Sequence, residues 1–141
     1  MTVVSIQGAG EVRNLAEAIG RVPIKARLTM RPALQRAGQE IKADAQARAS
    51  WSSRIPGSLT LRVQLRGARL GIVLAASSAR APHARPFEGL LNPQFRHPVF
   101  GNREAWVTQG ARPFMWPAAQ AGRDRVTDAV VGAVEAALRD L

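Results

Sequence analysis

Near residue 58 the hydrophobic period of this chain changes from about 3.6 residues to 2, and that change limits the possible folds more than any other feature. Between residues 28 and 50, apolar side chains recur at steps of three and four: Met30, Leu34, Ala37 and Ile41. Between residues 59 and 66, apolar and polar side chains alternate. The chain therefore combines an amphipathic helix with half-buried strands. We predict an α+β fold in which an antiparallel sheet of about four strands is packed by a long central helix and a C-terminal helix.

Three helices are predicted. The long central helix covers residues 28–50, with Pro32 in its first turn, where the missing N–H breaks no hydrogen bond. A short helix covers residues 11–20, and a last helix runs from Pro117 to the end of the sequence. The apolar stripe of this last helix is Val126, Val130, Ala133, Val134, Ala137 and Leu141. Residues 51–58 are rich in turn formers and are predicted to be a loop.

The strands are predicted from alternation and from turn residues. A short strand is expected over residues 3–7, and a hairpin over residues 59–74 turns at Gly67-Ala68. Two further short strands, 95–100 and 103–108, flank Gly101-Asn102. One face of the hairpin is apolar and faces the long helix, whereas the other carries Arg62, Arg66 and Arg69.

The length of 141 residues favours a single domain covering residues 1–141. Residues 1–27 form an N-terminal extension of one strand and one short helix. Residues 77–117 form a loop-rich arm that holds six of the seven aromatic residues and six prolines. Such a segment either wraps the core of its own chain or docks on a partner. The pattern alone leaves both interpretations open.

Twenty basic residues against ten acidic ones give a net charge of +10, and the excess lies in one block. Residues 21–80 carry twelve basic side chains against Glu40 and Asp44. This asymmetry favours a polyanion or an acidic protein surface as a neighbour, with simple solvation as the alternative. There is no cysteine. No signal peptide and no membrane-spanning run is recognisable, so we expect a protein made in the cytoplasm, with no membrane partner.

The motifs of enzymes and of specific nucleic-acid readers are missing from the sequence. His83 and His97 stand near Glu88 and Glu104 but without the spacing of a metal site, and Ser52 has no nucleophile-elbow context. We therefore predict no enzymatic activity, no catalytic residues, no metal and no cofactor. A basic domain that binds nucleic acid without sequence preference remains an alternative function.

Four segments, in order, resemble a tailed-phage family. Residues 81–84 (APHA) with 87–89 (FEG), and residues 111–118 (ARPFMWPA), are similar to two motifs of the head–tail joining, or tail-completion, proteins of lambda- and HK-type siphophages. His83 stands where tyrosine is usual. Residues 54–59 (RIPGSL) resemble the segment between that family's long helix and hairpin. Residues 97–103 (HPVFGNR) with 106–107 (WV) resemble a variant from phages of actinobacterial hosts.

The resemblance implies a structural protein of the phage neck, located in the virion. Such proteins form a homo-oligomeric ring, with six as the expected number of subunits, between the head connector and the tail tube. Expected partners are the connector or stopper, the tail terminator and the tail tube. Genomic DNA would pass through the lumen without sequence-specific binding. The alternative role within the neck is that of a tail terminator.

Residue roles follow from the ring hypothesis, since cyclic contacts require two different patches on each subunit. The interface candidates are Phe87, Phe95, Phe100, Trp106, Arg112, Phe114 and Trp116. For Phe114 and Trp116, packing in the core of the subunit is the equal alternative. Arg62, Arg66 and Arg69 are candidates for a basic face that lines the lumen or binds an acidic partner.

Overall fold

Helices and strands follow one another in the order that the hydrophobic periods predict. The computed structural model describes residues 2–7, 24–66, 69–89, 92–99 and 101–139. The elements within them are β1 (Thr2–Gln7), α1 (Ile24–Arg48), α2 (Ile55–Ser58), β2 (Leu59–Arg66), β3 (Arg69–Ala76), α3 (Ala84–Glu88), β4 (Gln94–Val99), β5 (Asn102–Gly110) and α4 (Met115–Arg139). The α+β class is confirmed. The predicted helix over residues 11–20, the hairpin turn at Gly67-Ala68 and Leu141 lie outside the described residues.

The strands are divided between two sheets, which differs from the predicted sheet of about four strands. β1, β3 and β2 form a three-stranded antiparallel sheet in that order, and β4 pairs only with β5 among the described strands. The ladders place Leu61 opposite Leu74 and Ile6 opposite Ile72. β4 and β5 interrupt their apolar positions with Arg96, Thr108 and other polar residues, so they offer no continuous apolar face for a helix to cover.

Two long helices cover one face of the three-stranded sheet. α1 lies over β2 and β3 and packs along α4, which reaches β1. Met30, Leu34 and Ile41 of α1 are fully buried between these elements. Burial of each such side chain stabilises the fold by about 1.5–3 kcal/mol. In α4, Val126, Val130 and Ala133 are buried, which confirms the central part of the predicted stripe.

Glycines permit close approach on two sides of α1. A Cβ on Gly38 would lie 2.8 Å from Cδ2 of Leu61 in β2, and a Cβ on Gly122 of α4 would collide with the Ile41 side chain. The sheet and α4 can therefore both come close to α1 only because these positions lack a side chain.

The boundaries of the helices differ from the prediction. α1 begins at Ile24, so Pro32 lies inside the helix rather than in its first turn. Its missing N–H leaves the carbonyl of Leu28 without the usual helical donor. Leu28 and Pro32 are both exposed, so water can reach this turn. A single helical turn, α2, replaces part of the predicted 51–58 loop. Among the described residues, no helix has the length and apolar character needed to cross a membrane.

A pair of glycines in α4 provides a test of the helix packing. We expect Gly122→Ala to destabilise the protein by about 1–3 kcal/mol, because the added methyl overpacks against Ile41. Gly132→Ala is the matched control, since a Cβ there meets nothing within 4 Å. It should stabilise the helix by about 0.5–1 kcal/mol. Urea unfolding measures both, and equal effects of the two substitutions would contradict the close crossing.

Candidate functional site

The carboxylate of Glu88 holds the beginning of α4. Glu88 is 2% exposed and sits at the end of α3. Its Oε2 accepts hydrogen bonds from the backbone N–H groups of Phe114 (3.1 Å) and Met115 (3.0 Å), and its Oε1 accepts one from Trp116 (2.6 Å). The first N–H groups of a helix have no partner within the helix, and a negative charge there is stabilised by the helix dipole. A residue distant in sequence thus caps α4.

Backbone contacts join the same two segments. The N–H of Arg112 donates to the carbonyl of Phe87 at 2.8 Å, and that of Ala111 donates to Pro93 at 2.7 Å. Gly89 has φ +70°, and a Cβ there would lie 2.5 Å from Cβ of Ala111. Residues 81–89 and 111–118, which carry two of the motifs of the resemblance, therefore form one packed unit.

Five rings, two of them from residues 81–89, are linked by successive contacts: Trp51, His83, Phe87, Phe95 and His97, here called the ring cluster. The centroid of Phe87 lies 4.4 Å from that of Trp51 and 4.9 Å from that of Phe95. The Arg112 guanidinium lies 4.8 Å from the Trp51 centroid, within the range of a cation–π contact. The cluster connects the end of α1, α3 and β4.

The antiparallel pair of β4 and β5, here called the ribbon, extends from the ring cluster. None of the described residues of these two strands is buried. Phe95 and Gln109, which pair in the ladder, lie on the face that meets the ring cluster. The opposite face, here called the outer ribbon face, consists of Arg96, Pro98, Trp106 and Thr108. Trp106 is 48% exposed there, with the Arg96 guanidinium 5.8 Å from its ring centroid.

The predicted interface residues occupy three different environments. Phe87, Phe95 and Arg112 meet in the ring cluster, whereas Trp106 and Trp116 are both about half exposed and lie on the ribbon and on α4. Phe100 lies outside the described residues. For Phe114, the sequence leaves an interface role and core packing open, and the structure shows core packing. Phe114 is fully buried in the hydrophobic core, where its ring packs against apolar side chains and is shielded from water.

Two residues of this region were missed by sequence reasoning. In the sequence, Glu88 stands out as a candidate metal ligand and as part of the FEG motif of the resemblance, and Trp51 lies in a predicted loop. The residues that Glu88 binds lie 26 to 28 positions away in the sequence, so no local pattern reveals the contact. The only available signal was an isolated acidic residue directly before a glycine in a chain that is poor in acids.

The two histidines make ordinary polar contacts. Nε2 of His83 lies 3.1 Å from the Ser52 hydroxyl, and Nε2 of His97 lies 2.9 Å from Oε1 of Gln109. The Ser52 oxygen also accepts the N–H groups of Arg54 and Ile55 at the start of α2. This hydroxyl therefore helps to order the turn. Within the described residues, no group of three or more His, Asp or Glu side chains is placed to hold a metal ion.

The basic face lies on the side of the sheet away from α1. Arg62 and Arg66 of β2 are exposed, and Arg69 is the ladder partner of Arg66. Arg31, Arg62 and Arg66 take no part in the ion pairs found within the described residues, which join Arg48 to Asp44, Arg125 to Glu40 and Arg139 to Glu135. The charges of Arg62 and Arg66 on this face, and that of Arg31 on α1, are therefore available to a partner.

Comparison of the chain with protein-family models, curated proteins and solved structures finds no match. What the chain does must be inferred from its own contacts, burial and charges.

Substitution of Glu88 tests the cap. Glu88→Ala should lower the free energy of unfolding by about 3 kcal/mol or more, because three backbone N–H groups lose their acceptor in a buried site. Glu88→Gln should cost less, since the amide oxygen still accepts. Glu104→Ala is the control at an exposed glutamate and should stay within about 0.5 kcal/mol of wild type. Similar unfolding curves for Glu88→Ala and Glu104→Ala would disprove the role of the carboxylate.

Alanine substitutions at two glycines with similar φ angles distinguish the cost of steric overlap from that of backbone strain. Gly89 and Gly101 have φ values of +70° and +77°, but a Cβ on Gly101 meets nothing within 4 Å. Gly101→Ala should cost about 1–2 kcal/mol for the left-handed backbone alone. Gly89→Ala should cost clearly more, because its methyl also overlaps Cβ of Ala111. Thermal unfolding measures the difference, and equal costs would contradict the tight packing of the two segments.

Proposed function

We propose that this protein is a structural component of a phage neck, which joins the head connector to the tail tube as part of a homo-oligomeric ring. The observation that carries the proposal is the ribbon. It places a half-exposed tryptophan on a two-stranded element with no buried residue in its described part. Isolated two-stranded ribbons are only marginally stable in water, so a packing partner for the ribbon would add stability.

Two different exposed patches on the subunit support a cyclic assembly. In a ring, each subunit offers one patch to the neighbour on one side and a different patch to the other. The outer ribbon face is one such patch, and its Trp106 and Arg96 belong to the residue types that dominate interface energetics. Trp116 and the first turn of α4 lie on a different element and supply a candidate for the second patch.

The sequence resemblance supports the same role by a separate route. Two of the four resembling segments, residues 81–89 and 111–118, are packed together around the Glu88 carboxylate and the ring cluster. The ribbon extends from this unit and contains residues of a third. Segments that resemble the neck family thus both form and hold the proposed interface.

The exposed arginines of β2 favour a second candidate function, namely binding of nucleic acid without sequence preference. Arg62 and Arg66 are free of ion pairs within the described part of the chain. This function predicts affinity for duplex DNA that falls steeply as salt rises. Absence of DNA binding near 0.1 M salt would remove it.

Particle mass and imaging test the assembly role. Mass photometry and negative-stain electron microscopy should detect closed rings, with six subunits as the expected number, either for the protein alone or after mixing with the connector and tail-tube proteins of the same phage. A protein that stays monomeric and binds neither partner would contradict the proposal. Genes for the portal, capsid and tail tube next to this one would support it independently.

Trp106→Ser tests the ribbon as the interface. We expect it to reduce ring formation at least about tenfold, because exposed tryptophans at interface centres contribute on the order of 2 kcal/mol or more. The subunit should keep its stability, since Trp106 packs against no buried residue of the core cluster. Val131→Ser removes an exposed apolar side chain from α4 and serves as the control. Equal assembly of both variants would exclude the outer ribbon face.

A further inference from the structure

One edge of the three-stranded sheet is open among the described strands. The strand order is β1-β3-β2, so β2 has a ladder partner on one side only. β2 is eight residues long and has no proline. Long edge strands are templates for pairing with another chain, and charged side chains such as Arg62 and Arg66 restrict which chain can pair. This edge has the length that strand addition requires.

The backbone groups that face outward can be identified from the ladder. Ser58 accepts a hydrogen bond from the N–H of Ser77 on the β3 side, whereas the carbonyl of Leu65 accepts the Arg27 guanidinium from outside the ladder. Backbone groups of successive residues in a strand point to opposite sides. Leu61 and Val63 therefore direct both N–H and C=O away from β3, whereas the N–H of Leu59 already donates to the carbonyl of Pro56.

A cleft runs along this edge. Its volume is about 550 Å³, and it is lined by Arg31, Arg62, Val63, Gln64, Leu65 and Arg66. Arg31 comes from α1, and the remaining five residues come from β2 itself. The cleft thus combines outward backbone donors and acceptors, apolar side chains and three cations that make no ion pair within the described residues.

We propose that this cleft binds an acidic, extended segment of a partner protein, which adds to the sheet as a fourth strand beside β2. The binding mode is strand addition, in which backbone hydrogen bonds supply affinity and alternate side chains supply specificity. The inference rests on the cleft alone, and it holds or fails separately from the ring assembly proposed above.

The pattern of the segment follows from the two faces of β2. Arg62 and Arg66 point to the face away from α1, whereas Val63 and Leu65 point to the α1 side. Side chains of an added strand alternate in the same way, and directly opposed pairs with opposite charges stabilise a ladder. The segment should therefore alternate acidic and apolar residues, with the acidic ones beside the arginines.

Charge also decides between a partner protein and a second copy of this chain. Pairing of β2 with β2 of another copy would bring Arg62 and Arg66 beside the same arginines, and like charges in opposed positions disfavour the ladder. Nucleic acid fits less well than a peptide, because phosphates accept hydrogen bonds but leave the outward carbonyls of Leu61 and Val63 without donors.

Peptide binding to the full-length protein tests the inference. Two fluorescent seven-residue peptides with the same composition are compared by anisotropy at low salt: one alternates glutamate and valine, and one groups the glutamates in a block. The alternating peptide should bind about tenfold more tightly. Equal affinity would mean that charge alone drives binding and would overturn strand addition, as would no binding at all. Tighter binding of a short DNA duplex would assign the cleft to nucleic acid instead.

Two sets of variants locate the site. Arg62→Glu with Arg66→Glu should weaken binding at least about tenfold, because exposed charges become repulsive to the acidic peptide. Val63→Pro removes an outward N–H without breaking the ladder to β3, and Val63→Ala makes a similar loss of side chain but keeps the donor. The proline should weaken binding clearly more than the alanine does. Unchanged affinity in the folded arginine variant, checked by circular dichroism, would overturn the site even if the proline variant fails to fold.

Discussion

The buried carboxylate of Glu88 is the contact on which both the helix layer and the ribbon depend. It accepts three N–H groups at the start of α4, and α4 in turn packs along α1. The same carboxylate belongs to α3, whose Phe87 contacts the first strand of the ribbon. A charged group without partners would be costly in this environment, but here the hydrogen bonds and the helix dipole both compensate for its burial. One side chain therefore couples the core to the projecting element.

Much of the fold follows from short-range patterns, and the remainder depends on contacts that such patterns do not contain. The alternation from Leu59 to Leu65 was sufficient to predict the hairpin and its basic face. The sequence predicts the ribbon as two strands. Whether these strands join the main sheet depends on which of their faces become buried. Burial likewise decides whether Phe114 and Trp116 lie in the core or at the surface. These two residues are two positions apart, yet one is fully buried and the other half exposed, because the backbone turns into α4 between them.

The two proposed interaction surfaces, the outer ribbon face and the β2 edge, differ in how firmly they are packed against the rest of the protein. The outer ribbon face stands on a two-stranded element that is held by rings, whereas the β2 edge belongs to a sheet that is covered by both long helices. Contacts between the ribbon and a partner would therefore stabilise the ribbon itself. Contacts at the β2 edge extend a ladder that is already fixed by Gly38 and the core beneath it.

The ribbon contacts the rest of the protein through the ring cluster, so a small rotation there moves its far end. The four steps from Phe95 to Val99 span about 13 Å, and a rotation of about 10° at Phe95 would move Val99 by about 2.3 Å. A single rigid subunit body could then meet neighbours at slightly different spacings, with the adjustment made at Phe87 and Phe95 and not within the core. The ring cluster would thus determine how much the spacing between neighbouring subunits can vary in any assembly that uses the ribbon.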